Sequence, residues 1–412
     1  MSMDAGMARR EDGIAPRAIG VGLRKIAAEL SQLYFERDLV VRGLLSAVLA
    51  SQHALLLGPP GTAKSELARE LTSRFSGSAF WEILLSPFTD PKRMFGPVDV
   101  GALTRGQYRQ LFDGRATTCD IAFIDEIFKC GSGALNELLA FLNERVYHPE
   151  AGGAPIACPL LSAITASNEL GEEDTAAVYD RLLVRLQVGY LVEKDNFAAL
   201  LRSATAGPPA TPVTRTKIPL SGLKEAIAVH VPAVELGADI VEALCVLRAT
   251  LSKEGVIASD RRWKASARLL QAAAYLAGRP AVTEADLPIL TTVLWDRPDQ
   301  RDLVDKCVLN LASPDTGELL EWEEEIATIE AEIAGQAGRS RTAMTTWAKQ
   351  ARTKLDKAGR RLNDIQAEAS RAGRSTAAVE RVLRSHSAVT QRVLDEVLGI
   401  AATAASPTRA GK

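Results

Sequence analysis

The chain has 412 residues, enough for two or three domains, and its 47% apolar content can fill several hydrophobic cores. Its formal net charge of −2 argues against nucleic acid as the main partner. Five scattered cysteines form no CxxC pair and no metal-ligand spacing, a pattern typical of reduced thiols in a cytoplasmic protein. We expect no membrane span and no signal peptide, because no apolar stretch is both long and unbroken.

A glycine-rich segment separates an apolar run from a helix-forming one near the start of the chain. Its residues are Gly58, Pro59, Pro60, Gly61, Thr62, Ala63, Lys64 and Ser65. The order predicts a strand over 54–57, a phosphate-binding loop and a helix that begins at Ser65, as in nucleoside triphosphatases. Lys64 is predicted to reach the β- and γ-phosphates, and the Ser65 hydroxyl to hold Mg²⁺. With Leu67 in the new helix, these residues form the predicted ATP-binding set.

Ala63 stands directly before the lysine, where such loops usually have glycine. Alanine accepts helical backbone angles but is strained at positive φ. Since the helix is about to begin, we expect Ala63 to have helical geometry. The alternative, a chance glycine-proline turn before Lys-Ser, is disfavoured by the strand before it and the helix after it.

Two acidic residues follow the next strongly apolar run. Residues 121–124 predict a buried strand, and Asp125 and Glu126 stand at its carboxyl end, where ligands bind in open α/β sheets. Asp125 is predicted to order Mg²⁺, and Glu126 to polarise the attacking water. Acidic pairs after strands are also common without a catalytic role, so the assignment depends on the phosphate loop upstream.

A further strand is predicted over 160–166, and it ends next to Asn168. A polar residue at a strand tip either bonds the γ-phosphate and the attacking water or caps the next helix. That helix is predicted over 172–185 and carries Arg181 and Arg185. Taken alone, arginines on such a helix are typical of a solvated face.

Composition divides the chain into six segments. They are a disordered N-terminus (1–17), an α/β nucleotide-binding domain (18–205), a Pro- and Thr-rich linker (206–219), an all-helical domain (220–312), a helical extension (318–402) and a disordered tail (403–412). In the all-helical domain, Asp260 is predicted to cap a helix that carries Arg268, itself typical of a solvated helix residue. The extension has an acidic helix followed by basic helices, which predicts an antiparallel hairpin or small bundle for assembly or docking.

Together these motifs resemble those of the AAA+ ATPases, and more narrowly those of the MoxR family in its RavA-like branch. The motifs that carry the resemblance lie at 56–65, 95–97, 123–129, 179–181 and 259–264. The resemblance implies an α/β AAA+ core with a parallel five-stranded sheet flanked by helices, followed by an all-α lid domain. The C-terminal extension matches less well, because RavA-type proteins carry a small inserted module there that we expect this chain to lack.

The resemblance also implies roles for single residues. Asn168 becomes sensor 1, and Arg268 becomes sensor 2 on the lid. Arg181 becomes the arginine finger offered to the neighbouring subunit's nucleotide, with Arg185 as the second candidate. The implied cofactors are ATP and Mg²⁺. Members of the family work as hexameric rings, and many act with a partner that carries a von Willebrand factor A domain.

We therefore expect a ring ATPase that hydrolyses ATP at subunit interfaces and uses lid motion to remodel or load a protein partner, like a chaperone. The alternative is a nucleotide-gated assembly scaffold with slow ATP turnover, which recruits a partner through its helical tail. A DNA-directed motor ranks below both, because the near-neutral charge supplies little surface that neutralises phosphates.

Overall fold

The structure is a computed structural model. The residues it describes are 16–149, 152, 154–169, 176–205, 215–312, 315–334, 341–371 and 376–394. The chain divides into two compact units, the first formed by residues 1–282 and 289–304 and the second by 283–288 and 305–412. The predicted disordered tail and all but two residues of the predicted disordered N-terminus lie outside the described residues.

Short apolar runs form the strands. In chain order they are β1 (Ala54–Leu57), β2 (Phe75–Ser76), β3 (Phe80–Leu84), β4 (Ile121–Asp125), β5 (Val146–Tyr147), β6 (Ile156–Ala157), β7 (Ser162–Ser167), β8 (Val184–Gln187) and β9 (Ile218–Pro219). Five of them form the central sheet in the spatial order β3-β4-β7-β1-β8, and all neighbours in it are parallel. The predicted parallel five-stranded sheet is therefore confirmed.

The remaining regular structure is helical. The α-helices are α1 (Pro16–Leu33), α2 (Asp38–Leu49), α3 (Lys64–Thr72), α4 (Pro91–Phe95), α5 (Val100–Leu103), α6 (Ser132–Glu144), α7 (Ala176–Arg181), α8 (Lys194–Thr205), α9 (Leu220–Glu225), α10 (Ala238–Lys253), α11 (Asp260–Ala277), α12 (Arg301–Ala312), α13 (Thr316–Ala334), α14 (Arg341–Arg371) and α15 (Ala377–Arg392). None of the described helices is both long enough and apolar enough to cross a membrane.

The sheet places the ends of three strands together. Leu57, the last residue of β1, pairs with Ser167 at the end of β7. On the other side of β7 lies β4, and Asp125 at the end of β4 pairs with Leu84 of β3. Because all these strands run in the same direction, their carboxyl ends lie at one edge of the sheet. The phosphate loop and the acidic pair are therefore neighbours, although they are far apart in the sequence.

Two predicted element boundaries are wrong. The helix predicted over 172–185 ends at Arg181, and Val184–Gln187 form β8 instead, because this run pairs with the central strand β1. The cap of α11 is Ser259, whose side chain accepts a hydrogen bond from the Arg262 N–H at 3.2 Å. Asp260 is the first helical residue, where its negative charge favours the helix N-terminus.

In the second unit, α13, α14 and α15 enclose a core of their own. Its members are Leu319, Ile326, Ile329, Ile333, Ala348, Ala351, Leu355, Leu362, Ile365, Val379, Val382, Val389 and Val393. The acidic helix α13 pairs with the basic α14 in antiparallel register, since Glu318 meets Arg361 at 2.8 Å and Glu325 meets Lys354 at 3.0 Å. The predicted hairpin or small bundle is confirmed for the described residues of the extension, and 335–340, 372–375 and 395–402 lie outside them.

His53 gives the first unit a predictable dependence of stability on pH. Its ring lies inside the protein, where Nδ1 accepts from the Ala163 N–H at 2.9 Å and Nε2 donates to the Leu142 carbonyl at 2.7 Å. Burial lowers the pKa of His53 from 6.5 to about 4. Below pH 6.5 the unfolded chain binds a proton that the folded chain excludes, so stability falls as the pH drops toward 4.

We expect this single residue to remove about 3 kcal/mol from the free energy of unfolding over that pH range. The measurement is urea unfolding at several pH values for the wild type and His53→Gln. The variant should lose less stability than the wild type as the pH falls, whereas exposed His148→Gln should follow the wild type. Parallel curves for the wild type and His53→Gln would contradict the prediction.

Candidate active site

The loop between β1 and α3 is held in one shape by its neighbours. The Gly58 N–H donates to the Ser167 carbonyl at 3.2 Å, which ties the loop to the tip of β7. A Cβ atom on Gly58 would lie 2.0 Å from the Val188 carbonyl oxygen, so only glycine fits there. The Thr62 hydroxyl donates to the Pro59 carbonyl at 3.0 Å within the loop. These contacts fix the conformation of the loop backbone in the absence of a ligand.

Ala63 caps α3 with φ 63° and ψ 24°, in the left-handed region. The expectation of helical geometry is therefore wrong. The chain turns from the loop into the helix at this residue, and Gly61, two residues earlier, also has a positive φ, 77°. For alanine the left-handed conformation costs about 1 to 2 kcal/mol. The strained turn lies where α3 presents its N-terminal N–H groups, which have no intrahelical acceptors.

We expect Ala63→Gly to raise the free energy of unfolding by about 0.5 to 1 kcal/mol, because relief of strain exceeds the added entropy of the unfolded chain. Urea unfolding measures the change. Ala68→Gly is the matched control, since Ala68 is buried in the middle of the same helix and should lose about 1 kcal/mol or more. Destabilisation of similar size in both variants would argue against strain at Ala63.

Lys64 is the first residue of α3, and its ammonium group is enclosed by the loop. Nζ donates to the carbonyls of Gly58 at 2.6 Å and Pro59 at 2.9 Å, and to Oδ1 of Asn168 at 3.0 Å. Burial lowers the pKa of Lys64, and the acidic pair at the end of β4 opposes that shift. The site therefore has a buried positive charge between the loop carbonyls and two carboxylates.

The acidic pair is bonded to the loop and to its own backbone. The Ser65 hydroxyl donates to Oδ2 of Asp125 at 3.1 Å, and the Glu126 N–H donates to Oδ1 at 3.0 Å. Glu126 has φ 54°, and its Oε1 accepts from Asn168 Nδ2 at 2.8 Å and from Lys129 Nζ at 3.2 Å. Within the described part of the chain, Oε2 of Glu126 is buried without a hydrogen-bond partner. Such an oxygen is suited to accept a proton from water.

Asn168 connects the lysine to the acidic pair. It lies one residue beyond β7, and its side-chain amide bonds Lys64 through Oδ1 and Glu126 through Nδ2. The alternative role, capping the next helix, partly involves residues 170–175, which lie outside the described residues. The amide therefore links groups that follow three separate strands, β1, β4 and β7.

The cluster fits a nucleoside triphosphate with Mg²⁺. The Ser65 hydroxyl and the Asp125 carboxylate present adjacent oxygen ligands, the type that Mg²⁺ prefers. Among the residues with described placement, no group of three or more His, Cys, Asp or Glu could hold a metal. A cation here would therefore take most of its ligands from phosphate oxygens and water, as Mg²⁺ usually does.

Three predicted site residues lie on helices. Arg181 is the half-buried last residue of α7. Arg268 lies in α11, where Nη1 donates to Oε1 of Gln271 at 3.5 Å. Leu67 is buried in α3, and its N–H already donates to the Ala63 carbonyl at 2.9 Å. The part of Leu67 in nucleotide binding stays a prediction.

Arg185 lies in β8, and its side chain is 0% exposed. Nε donates to the Leu182 carbonyl at 3.2 Å, Nη2 donates to the Tyr179 carbonyl at 3.2 Å, and Nη1 donates to the Trp295 carbonyl. Burial lowers the pKa of Arg185 to about 10. These bonds hold the Arg185 guanidinium in the interior of its own chain, which favours Arg181 over Arg185 as the arginine finger, and the choice between them stays a prediction.

Sequence reasoning missed the role of Arg262, although it singled out the motif that contains it. Arg262 is buried and donates to Asp180 at 2.9 Å and to Asp296 at 2.6 Å. The signal was available in the helical spacing, because Arg262 lies four residues before Ser266 and seven before Leu269, both fully buried. An arginine in line with a buried face requires acidic partners.

Family models match two stretches of the chain. One is described as the MoxR domain in the MoxR-vWA-beta-propeller ternary systems, and it matches residues 21–225. The other is described as an AAA lid domain, and it matches residues 239–308. The first stretch contains the whole cluster around Lys64, and the second contains α11 and all of α10 except its first residue.

Several proteins are similar to this chain. Two uncharacterized proteins of Methanocaldococcus jannaschii are each 33% identical, over 76% of this chain and 81% and 80% of the relatives. A structural protein of Acidianus two-tailed virus is 27% identical over 41% of this chain and 29% of the viral protein. A crystal structure of a candidate ATPase from Cytophaga hutchinsonii matches with a TM-score of 0.58 at 16% identity, covering 71% of this chain and 95% of that one. That likeness shows the fold alone.

Proposed function

The chain belongs to the MoxR family of AAA+ ATPases, and on this premise we propose that it hydrolyses ATP at the subunit interfaces of a ring. Hydrolysis moves the lid, and lid motion remodels or loads a protein partner in the manner of a chaperone. The observation that carries the proposal is the bonded chain from Lys64 through Asn168 to Glu126, next to the Ser65–Asp125 pair.

The residues of the cluster divide the work of hydrolysis. Lys64 exchanges its loop carbonyls for the β- and γ-phosphate oxygens. Ser65 and Asp125 hold Mg²⁺, which when bound neutralises charge on the phosphates. Glu126 accepts a proton from the attacking water through Oε2, and Asn168 keeps that carboxylate in place while its amide faces the γ-phosphate.

The two remaining arginines act outside this cluster. Arg181, at the end of α7, is the arginine finger for the neighbouring subunit's nucleotide, which makes hydrolysis depend on ring assembly. Arg268 in α11 is sensor 2, and its contact with the nucleotide connects hydrolysis to the lid. A hexamer is the ring size typical of the family.

The partner is proposed from the family description. The matching model is described for systems that contain a von Willebrand factor A component, so we propose a partner with that domain. The helical extension, with its own core, is the proposed docking element. We propose a place in the RavA-like branch on the motifs at 56–65, 95–97, 123–129, 179–181 and 259–264. The Asp180–Arg262 bond connects the last two of these motifs. The cytoplasmic location stays a prediction, based on five free cysteines.

Phosphate release by the wild type and Glu126→Gln tests the proposal. We expect the variant to lose activity by about 100-fold or more while it still binds ATP, because it loses only the proton acceptor. The wild-type rate per subunit should rise with protein concentration as rings assemble. Glu66→Gln, an exposed carboxylate next to Ser65, is the matched control and should keep its activity.

The same experiment separates the two candidate functions. If the wild type releases no more phosphate than Glu126→Gln at any protein concentration, the ATPase proposal is lost. If nucleotide drives assembly but turnover stays slow in the assembled rings, the nucleotide-gated scaffold is favoured instead.

A further inference from the structure

Arg262 joins two aspartates from different parts of the first unit. It lies in the first turn of α11, and its side chain is 3% exposed. Nη2 donates to Oδ1 of Asp180 at 2.9 Å, and Nη1 donates to Oδ1 of Asp296 at 2.6 Å. Asp180 is the residue directly before Arg181 in α7. A buried arginine of the lid segment therefore binds the neighbour of the proposed arginine finger.

The backbone on both sides of Asp180 and Arg181 is held as well. Arg185 donates to the Tyr179 carbonyl and to the Leu182 carbonyl, each at 3.2 Å, and its guanidinium carbon lies 3.9 Å from the centre of the Tyr179 ring. The end of α7 is thereby contacted by Arg262 at Asp180 and by Arg185 at Tyr179 and Leu182. Its geometry therefore depends on these two buried arginines.

Stability alone does not account for two buried guanidinium groups. Each gives up its hydration, and an apolar cluster of similar volume is often as stable or more so. A guanidinium group does provide direction, because its N–H groups form a rigid planar fork. The two arginines thus fix the orientation of the end of α7, although an apolar cluster at the same place could be more stable.

Resting on the proposed function, we propose that Arg262 is a positioning residue for the arginine finger. Through Asp180 it sets the direction in which the Arg181 side chain leaves α7. Since α11 belongs to the lid segment, a shift of the lid moves Arg262, Asp180 and then Arg181. The lid of one subunit thereby controls hydrolysis in the next subunit of the ring.

Two variants weaken the Asp180–Arg262 bond while they keep side chains of similar size at both positions. Asp180→Asn removes the charge and keeps the shape, and Arg262→Lys keeps the charge and removes the fork. We expect each to lower kcat about tenfold or more and to leave the KM for ATP within about twofold, because the nucleotide-binding cluster is untouched. Asp260→Asn is the control, since its exposed carboxylate on the same helix pairs with Arg248 at 2.9 Å. Its kcat should stay within about twofold of the wild type.

Mixed rings distinguish mispositioning of Arg181 from damage to the variant's own site. In an equimolar mixture of Asp180→Asn and Glu126→Gln subunits, the Glu126→Gln subunits supply a correctly held Arg181 to intact Asp180→Asn sites. We expect activity to recover toward about a quarter of the wild-type rate, the share of interfaces with that order in randomly assembled rings. A mixture of Asp180→Asn with Arg181→Ala should not recover, because neither partner supplies the arginine in position.

The outcomes separate the inference from the proposed function. If Arg181→Ala abolishes hydrolysis while Asp180→Asn and Arg262→Lys keep the wild-type kcat, the positioning role is wrong and the proposed function stands. If Arg181→Ala itself keeps the wild-type kcat, the arginine finger of the proposed function is wrong. Well-folded rings of both variants that fail to recover in the mixture with Glu126→Gln would also overturn the inference. Where Asp180→Asn does not fold, Arg262→Lys undergoes the same mixing test.

Discussion

Replacement of Lys64 by alanine is expected to weaken ATP binding by about 100-fold or more and to abolish phosphate release with it. The ammonium group is the buried cation of the site, and it lies between the loop carbonyls and the acidic pair. Without it, the phosphates would lose their enclosed cation, and less positive charge would offset their repulsion by Asp125 and Glu126. Titration with a fluorescent ATP analogue measures the loss, and circular dichroism checks the fold.

Lys129 is the matched control for this experiment. Its Nζ lies 3.2 Å from the same Glu126 carboxylate, but its side chain is 53% exposed and stands outside the loop. Lys129→Ala should therefore change ATP affinity by less than about threefold, as expected for an exposed ion pair. Equal affinity losses in the two variants would mean that general charge, rather than the enclosed position of Lys64, determines binding.

Replacement of Arg185 by methionine should cost about 3 to 5 kcal/mol of the free energy of unfolding. Methionine nearly fills the space, but it removes the Arg185 donor from the carbonyls of Tyr179, Leu182 and Trp295, and of these the Tyr179 carbonyl keeps the Leu182 N–H at 3.2 Å. It also removes a cation from beside Asp296, which lies 3.5 Å away. Urea unfolding followed by circular dichroism measures the loss.

Arg69→Met is the control that tests whether the loss of unfolding free energy depends on burial rather than on the number of bonds. Arg69 makes a close pair with Glu82 at 2.7 Å, but its side chain is 56% exposed. We expect a change below about 1 kcal/mol, because solvent replaces most of what the pair provides. A loss of 3 kcal/mol or more in both variants would show that burial does not determine the contribution of these arginines.

The strand, loop and helix of the candidate site could be predicted from the sequence because each piece of this part is local. The strand over 54–57, the glycine-rich loop and the helix after it follow one another without interruption, and their order alone indicates a phosphate loop. Asp125 and Asn168 were placed correctly at the ends of strands. Parallel pairing then brings those ends together, which is a general property of such sheets.

The errors occurred where backbone or burial depended on distant residues. Ala63 is an ordinary helix former, yet the turn into α3 holds it in the left-handed region. Arg185 belongs to a segment with helical composition, yet pairing with β1 makes that segment a strand. In both cases tertiary structure overrides a local preference of about 1 kcal/mol.

The amino-acid sequence by itself indicated the residues of the candidate site. They are a phosphate loop, an acidic pair and an asparagine, each at the end of its own apolar run. What only the tertiary structure decided was which arginines are available for that chemistry. Arg185 is enclosed by carbonyls, and Arg262 is bound to Asp180 and Asp296. The reason is that the sequence around an arginine does not show whether its guanidinium group is exposed or buried. Burial depends on contacts with residues that are distant in the sequence.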